Sequence, residues 1–190
     1  MGRSPTYFLG HIVLAISIVQ PPVDSATRAV YAAILDSFFV RPGIERLVIR
    51  PRTAPGHGHV DDLDYQNGLR GLGTLAAGLQ ASYESRRRLR LEVPVASLPT
   101  RVPSVPLTEA DEAALPPGNP GSYWQGFYQR FPRSPGIVTF SAVGFSADGR
   151  SALVMVDTGC GGMCGHTYYY LLQYLGGRWT VIRRAGVRAA

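Results

Sequence analysis

The chain has 190 residues, an apolar fraction of 45% and a formal net charge of +6. That length suits one domain, and the apolar content excludes an intrinsically disordered chain. All 19 basic residues are arginine, so the pI near 9.7 reads as the lysine avoidance of a GC-rich genome and is a weak pointer to nucleic acid.

The N-terminus has the order of a secretory signal. Met1-Gly2-Arg3 gives a weak positive start, Tyr7 to Val19 is mostly apolar, and Pro21-Pro22 breaks any helix. Small residues Ser25 and Ala26 mark a cleavage point. The expected organisation is a signal peptide over 1–25 and a single domain over 26–190, exported to the periplasm or secreted. The alternative is a buried N-terminal strand or helix of an unexported protein. The apolar run falls short of the roughly 20 residues a bilayer span needs, so no span is expected after cleavage. With no cysteine nearby, no lipid anchor is indicated.

Thr27 to Val40 carries Val30, Tyr31, Ile34, Leu35, Phe38 and Phe39 at helical spacing, and Pro42-Gly43 stops that helix. Leu47-Val48-Ile49 predicts a short strand. Thr53 to Asn67 has loop composition. Leu69, Leu72, Leu75, Leu79 and Tyr83 predict a second helix, weakened by up to about 1 kcal/mol for each glycine between Gly68 and Gly78. Leu91 to Pro106 is punctuated by prolines, which allow a surface wrap or an edge strand but no central strand. Thr108 with Asp111, and Ser122 with Gln125, carry capping signatures for two further helical segments. The second presents Trp124, Phe127, Tyr128 and Phe131 on one face.

From Gly136 the period becomes strand-like. Strands are expected over Ile137 to Phe145, Ser151 to Asp157, Thr167 to Leu175 and Arg178 to Arg184, with turns at Asp148-Gly149 and Gly176-Gly177. The fold class is therefore α+β: N-terminal helices packed on one face of a four-stranded, or slightly larger, antiparallel meander over 136–185. A curved sheet cradling a helix, as in cystatin-like or nuclear-transport-factor-like folds, fits by analogy.

Cys160 and Cys164 are the only cysteines. In an exported protein their spacing favours a disulfide, whose short loop contributes roughly 2 kcal/mol in the chain-entropy picture. Two other readings compete: metal binding by Cys160, Cys164 and His166, and redox exchange. His57 and His59 precede Asp61, Asp62 and Asp64, a set able to hold a divalent metal or to form an ordinary solvated loop. Arg86, Arg87, Arg88 and Arg90 form the sharpest charge run, either an anion-binding patch or a solvated helix end. Tyr168, Tyr169, Tyr170 and Tyr174 place rings on both sides of one strand, first as packing and second as a ligand surface. No cofactor-binding fingerprint and no catalytic residue set appears, so whether the chain is an enzyme stays open, with no nucleic-acid partner expected.

The C-terminal half resembles an uncharacterised family of bacterial exported proteins and lipoproteins. The resemblance is carried over about 84–184 by Trp124 to Gly136, Phe140-Ser141-Ala142-Val143-Gly144-Phe145, Cys160 to Gly165, Tyr168 to Leu172 and Gly177-Arg178-Trp179-Thr180-Val181. Family members often end in a further Trp. This chain ends in Arg188-Ala189-Ala190, which implies a final strand that stops short. The resemblance implies export and a recurring module, with no activity attached. The functional expectation is a non-enzymatic envelope module binding a protein or small ligand. The alternative is a metal-dependent or redox enzyme built on Cys160, Cys164 and His166.

Overall fold

The computed structural model describes residues 24–56 and 63–189. The expected signal segment up to residue 23, and His57, His59, Asp61 and Asp62, lie outside the described residues.

Helix α1 spans Ser25–Phe38, and the Asp24 side chain caps it by accepting from the Thr27 N–H at 2.7 Å. Its buried stripe is Val30, Tyr31, Ile34 and Leu35, the residues that the 3.6 period selects. The cap residue Asp24 thus falls within the expected signal segment 1–25.

Strand β1 (Leu47–Ile49) is buried at every position. Residues apolar on both faces belong inside a covered sheet. Strand β1 accordingly sits between β2 (Ser104–Pro106) and β3 (Ile137–Phe140), parallel to both. Strand β4 (Gly144–Phe145), β5 (Ser151–Gly159), β6 (Gly165–Leu175) and β7 (Arg178–Ala189) complete a seven-stranded sheet. Its order is β2-β1-β3-β5-β6-β7, with β4 beside β5. The expected antiparallel part is present from β3 to β7, but the whole sheet is mixed and larger than a four-stranded meander. The proline-rich stretch supplies β2 as an edge strand, where Pro106 costs no ladder bond.

Helices cover both faces, which corrects the expected one-sided packing. Strand β5 is buried throughout Ser151 to Val156, so each face of it needs cover. Val154 and Val156 point with Val138, Phe140, Tyr170 and Leu172 toward α1 and the Leu91–Leu98 wrap. Leu153 and Met155 point the other way, with Tyr169 and Leu171, toward α2 (Leu63–Gly71) and α3 (Leu79–Arg86). On that same face, α5 (Pro120–Arg130) covers Val48 and Ile137 with Phe127 and Phe131. Helix α4 (Glu109–Ala113) has a capping box: the Thr108 and Asp111 side chains each accept from the other's backbone N–H.

Three other expectations are corrected locally. The second helix is two, because Gly73 and Gly78 adopt φ of +76° and +73°, outside helical space. The strand expected over Ile137 to Phe145 breaks at Ser141, and β3 and β4 pair separately with β5. Strand β7 does not stop at Arg184 but pairs as far as Ala189, with irregularities that leave Ile182 and Val187 unmatched on β6.

Candidate functional site

The cysteine loop is built from α5 upward. Helix α5 turns Trp124 and Tyr128 toward the end of β5. The Tyr128 hydroxyl donates to the Cys160 carbonyl oxygen at 2.9 Å. Trp124 lies flat enough against Gly159 that a Cβ there would sit 3.1 Å from two of its ring carbons. Gly136 takes φ +114°, and a Cβ on it would lie 2.2 Å from the Gly159 carbonyl oxygen. Glycine is required at 136 on both counts.

Cys160 and Cys164 form a disulfide with Cα atoms 5.1 Å apart, and the Cys160 N–H donates to the Cys164 carbonyl at 2.7 Å. Both thiolate positions are thereby bonded. His166 is exposed at the start of β6, its carbonyl accepting from the Thr158 hydroxyl at 3.0 Å. Among the described residues, no group of three or more His, Cys, Asp and Glu side chains is placed to hold a metal ion. The hairpin tip presents Met163, 89% exposed.

The arginine run does not form one surface. Arg87 is buried, donating to the Gly56 carbonyl at 3.3 Å with its guanidinium 4.9 Å from the Tyr65 ring centre. Arg86 is half-buried, and Arg88 is exposed. Arg90 faces a different way and lines a cleft of about 380 Å³ with Arg50, Arg52, Glu92, Glu109 and Glu112. Arg50 pairs there with Glu112 at 2.8 Å, and Arg52 with Glu92 at 3.8 Å. Equal numbers of acidic and basic groups leave this cleft without a strong anion preference.

The tyrosines divide sharply. Tyr83, Tyr65 and Tyr169 pack ring edge to ring face beneath α2 and α3. Burial pushes the Tyr83 hydroxyl up to about 12 and holds Tyr31, Tyr65 and Tyr169 above the ordinary tyrosine range. These are neutral core groups at physiological pH. Tyr174 is different: it is 46% exposed and packs against Trp179, its cross-strand partner, at 5.5 Å between ring centres.

Tyr174 and Trp179 form one wall of a groove of about 570 Å³. Ala26, Ala29 and Ala33 of α1 also line it, with small side chains, together with Pro99 and Gly149. Trp179 is backed by Phe145 at 5.7 Å, and the Tyr174 N–H donates to the Arg150 carbonyl at 2.8 Å. Sequence reasoning had Tyr174 but missed the groove. Its only local signal was an aromatic on each side of the Gly176-Gly177 turn, whereas the α1 wall comes from about 150 residues away by chain topology.

Among the described residues, no helix is long and apolar enough to cross a membrane. No family model, curated protein or solved structure matches the chain.

Proposed function

We propose that this chain is an exported, non-enzymatic module of the bacterial envelope that binds a partner protein through the end of the β6–β7 hairpin. The observation that carries the reading is the groove between α1 and the hairpin, with Tyr174 half out of it and Trp179 held rigidly behind. Exposed aromatic side chains on a fixed scaffold are the usual anchors of protein interfaces, because they bury large area at low entropy cost. Export is supported by the apolar N-terminal run and by a disulfide, which persists in oxidising compartments. The resemblance to exported bacterial proteins points the same way.

Selection of displayed random peptides on the purified domain tests the reading. Enriched peptides are expected to bind the wild-type domain and to lose at least about tenfold in affinity with Tyr174→Ala, a typical hot-spot loss. Enrichment of no peptide, or of peptides indifferent to Tyr174→Ala, overturns it.

A further inference from the structure

Strand β7 ends the sheet. Among the described residues it pairs with β6 alone, so its outer side presents unpaired N–H and C=O groups along Arg178–Ala189. Helix α1 approaches it from one face and α2 from the other, but neither closes the edge itself. The edge is also basic. From Thr158 to the C-terminus the sequence holds no Asp or Glu, while β7 carries Arg178, Arg183, Arg184 and Arg188.

Two of these arginines stand on opposite faces of the sheet beside this edge. Consecutive residues point to opposite faces of a sheet. Arg184 lies on the α1 face, its guanidinium 4.8 Å from the Phe38 ring centre and 5.0 Å from that of Tyr168. Arg183 lies on the α2 face, close to Gly73, where a Cβ would come within 2.9 Å of its Nη1. Both are exposed, and Ile182 beside them is 38% exposed. At the hairpin end, Arg178 adjoins the exposed pair Tyr174 and Leu175.

We propose that the outer edge of β7 takes an extended, acidic segment of a partner protein as an added strand, with carboxylates on its two faces meeting Arg183 and Arg184. This rests on the hairpin reading above and names its mode and its partner's chemistry. Main-chain hydrogen bonds supply the pairing, and the arginines select for carboxylates. A second copy of this chain is a poor occupant. Twofold antiparallel pairing of β7 would set arginines against arginines, and the irregularities at Ile182 and Val187 interrupt a long self-complementary ladder.

The test uses the described domain with its disulfide intact and four labelled probes, read by fluorescence anisotropy at low and near-physiological salt. The first probe is a peptide of about eight residues, a strand's length, built from Val-Glu-Glu-Val repeats so that carboxylates fall on both faces. The second replaces glutamate by lysine. The third is the glutamate peptide N-methylated at consecutive backbone nitrogens, which keeps its charge but blocks pairing along both of its edges. The fourth is an oligothymidylate. The glutamate peptide is expected to bind at least about tenfold more tightly than the lysine and N-methylated peptides, and to weaken as salt rises. The double variant R183E/R184E is expected to reverse the order of the two charged peptides. R178E, at the exposed hairpin end, keeps the test sharp should the double variant fail to fold; an expected loss is about threefold.

Equal binding of the N-methylated peptide overturns strand addition. Equal binding of the lysine peptide overturns the acidic preference. Tighter binding of oligothymidylate than of the glutamate peptide assigns the edge to nucleic acid instead, and a concentration-dependent dimer that excludes the peptides assigns it to a second copy. Peptide binding that is sensitive to Tyr174→Ala but indifferent to charge and N-methylation sinks the β7 proposal while leaving the hairpin reading intact. Glutamate-selective, N-methylation-sensitive binding without Tyr174 dependence sinks the hairpin reading alone, and absence of any peptide binding sinks both.

Discussion

The Tyr31 hydroxyl donates to the Ser141 carbonyl oxygen at 2.9 Å, tying α1 to the first residue of the break between β3 and β4. The same serine faces the other helical layer through its Oγ, which accepts from the Met155 N–H at 2.9 Å and lies 3.4 Å from the Tyr83 hydroxyl of α3. Ser141 therefore couples both helical layers through the sheet. Just after the break, Gly144 comes so close to α3 that a Cβ on it would lie 2.5 Å from the Tyr83 backbone.

Ser141→Ala removes the acceptor used by the Met155 N–H in a fully buried setting. Loss of a buried hydrogen bond costs about 1–3 kcal/mol. Tyr31→Phe removes only the bond to the Ser141 carbonyl and is expected to cost less, about 1 kcal/mol. Urea unfolding followed by far-UV circular dichroism ranks the two. Equal effects would mean that the serine hydroxyl adds nothing to the junction.

Gly144→Ala drives a methyl group into the α3 backbone, which cannot yield as a flexible side chain would. Overpacking of this kind costs about 1–3 kcal/mol, sometimes more. Gly43 has open space but φ of +87°, so Gly43→Ala tests conformational strain without a clash. Thermal melts should place Gly144→Ala well below Gly43→Ala. A Gly144→Ala midpoint equal to that of the wild type would show that α3 moves away at little cost.

The helical stripe of α1, the capping box of Thr108 and Asp111, and the Gly176-Gly177 turn were legible because each is a local pattern with a local cause. The parallel pairing of β1 was not. Three buried residues, Leu47 to Ile49, carry no information on which strand they meet, and their partners lie about 60 and 90 residues downstream. The break that begins at Ser141 was hidden because Ile137 to Phe145 is apolar enough to read as one strand. The candidate site shows the same division. A disulfide was the expected state of the cysteine pair given export, and Tyr174 was one of four strand tyrosines read first as packing. The groove depends on α1 alanines brought to Trp179 by the tertiary fold.

Removing the disulfide tests what the cysteine loop contributes. The paired variant C160S/C164S opens a short loop, so the expected loss is about 2 kcal/mol. Tyr128 and Trp124 still support the loop from α5, so the domain is expected to stay folded with a single cooperative transition. Denaturant curves of the variant against the oxidised wild type give the number. A broad, non-cooperative transition would mean that the bridge organises the sheet rather than one loop.

Asp111 gives the domain a defined acid response. The Thr108 hydroxyl, then the Thr108 N–H and the Arg130 guanidinium, hold its carboxyl below the usual carboxylate range, while burial works against them. A carboxyl depressed in the folded state contributes stability that is present above its unfolded value, near about pH 3.9, and is lost as pH falls through the lower folded value. Asp111→Asn is therefore expected to lower stability at neutral pH and to flatten the acid limb of the stability curve. Unfolding midpoints taken from neutral to strongly acidic pH check the sign. A variant that loses stability in acid as steeply as the wild type would remove Asp111 from the account.

Asp24 caps α1 through the Thr27 N–H, and the Arg28 N–H donates to the Asp24 carbonyl at 3.1 Å. Cutting after Ser25 or Ala26 would delete this cap and put a positive α-amino group at the helix N-terminus, where the helix dipole disfavours it. A chain starting at Thr27 is expected to be about 1–2 kcal/mol less stable than one starting at Asp24. It also lacks Ala26 of the groove lining and is expected to loosen Ala29, and so to weaken any ligand sensitive to Tyr174→Ala. Unfolding curves and peptide binding on the two chains measure both effects. Equal stability would show that α1 is held by its buried face alone, and that trimming within Asp24 to Ala26 is harmless.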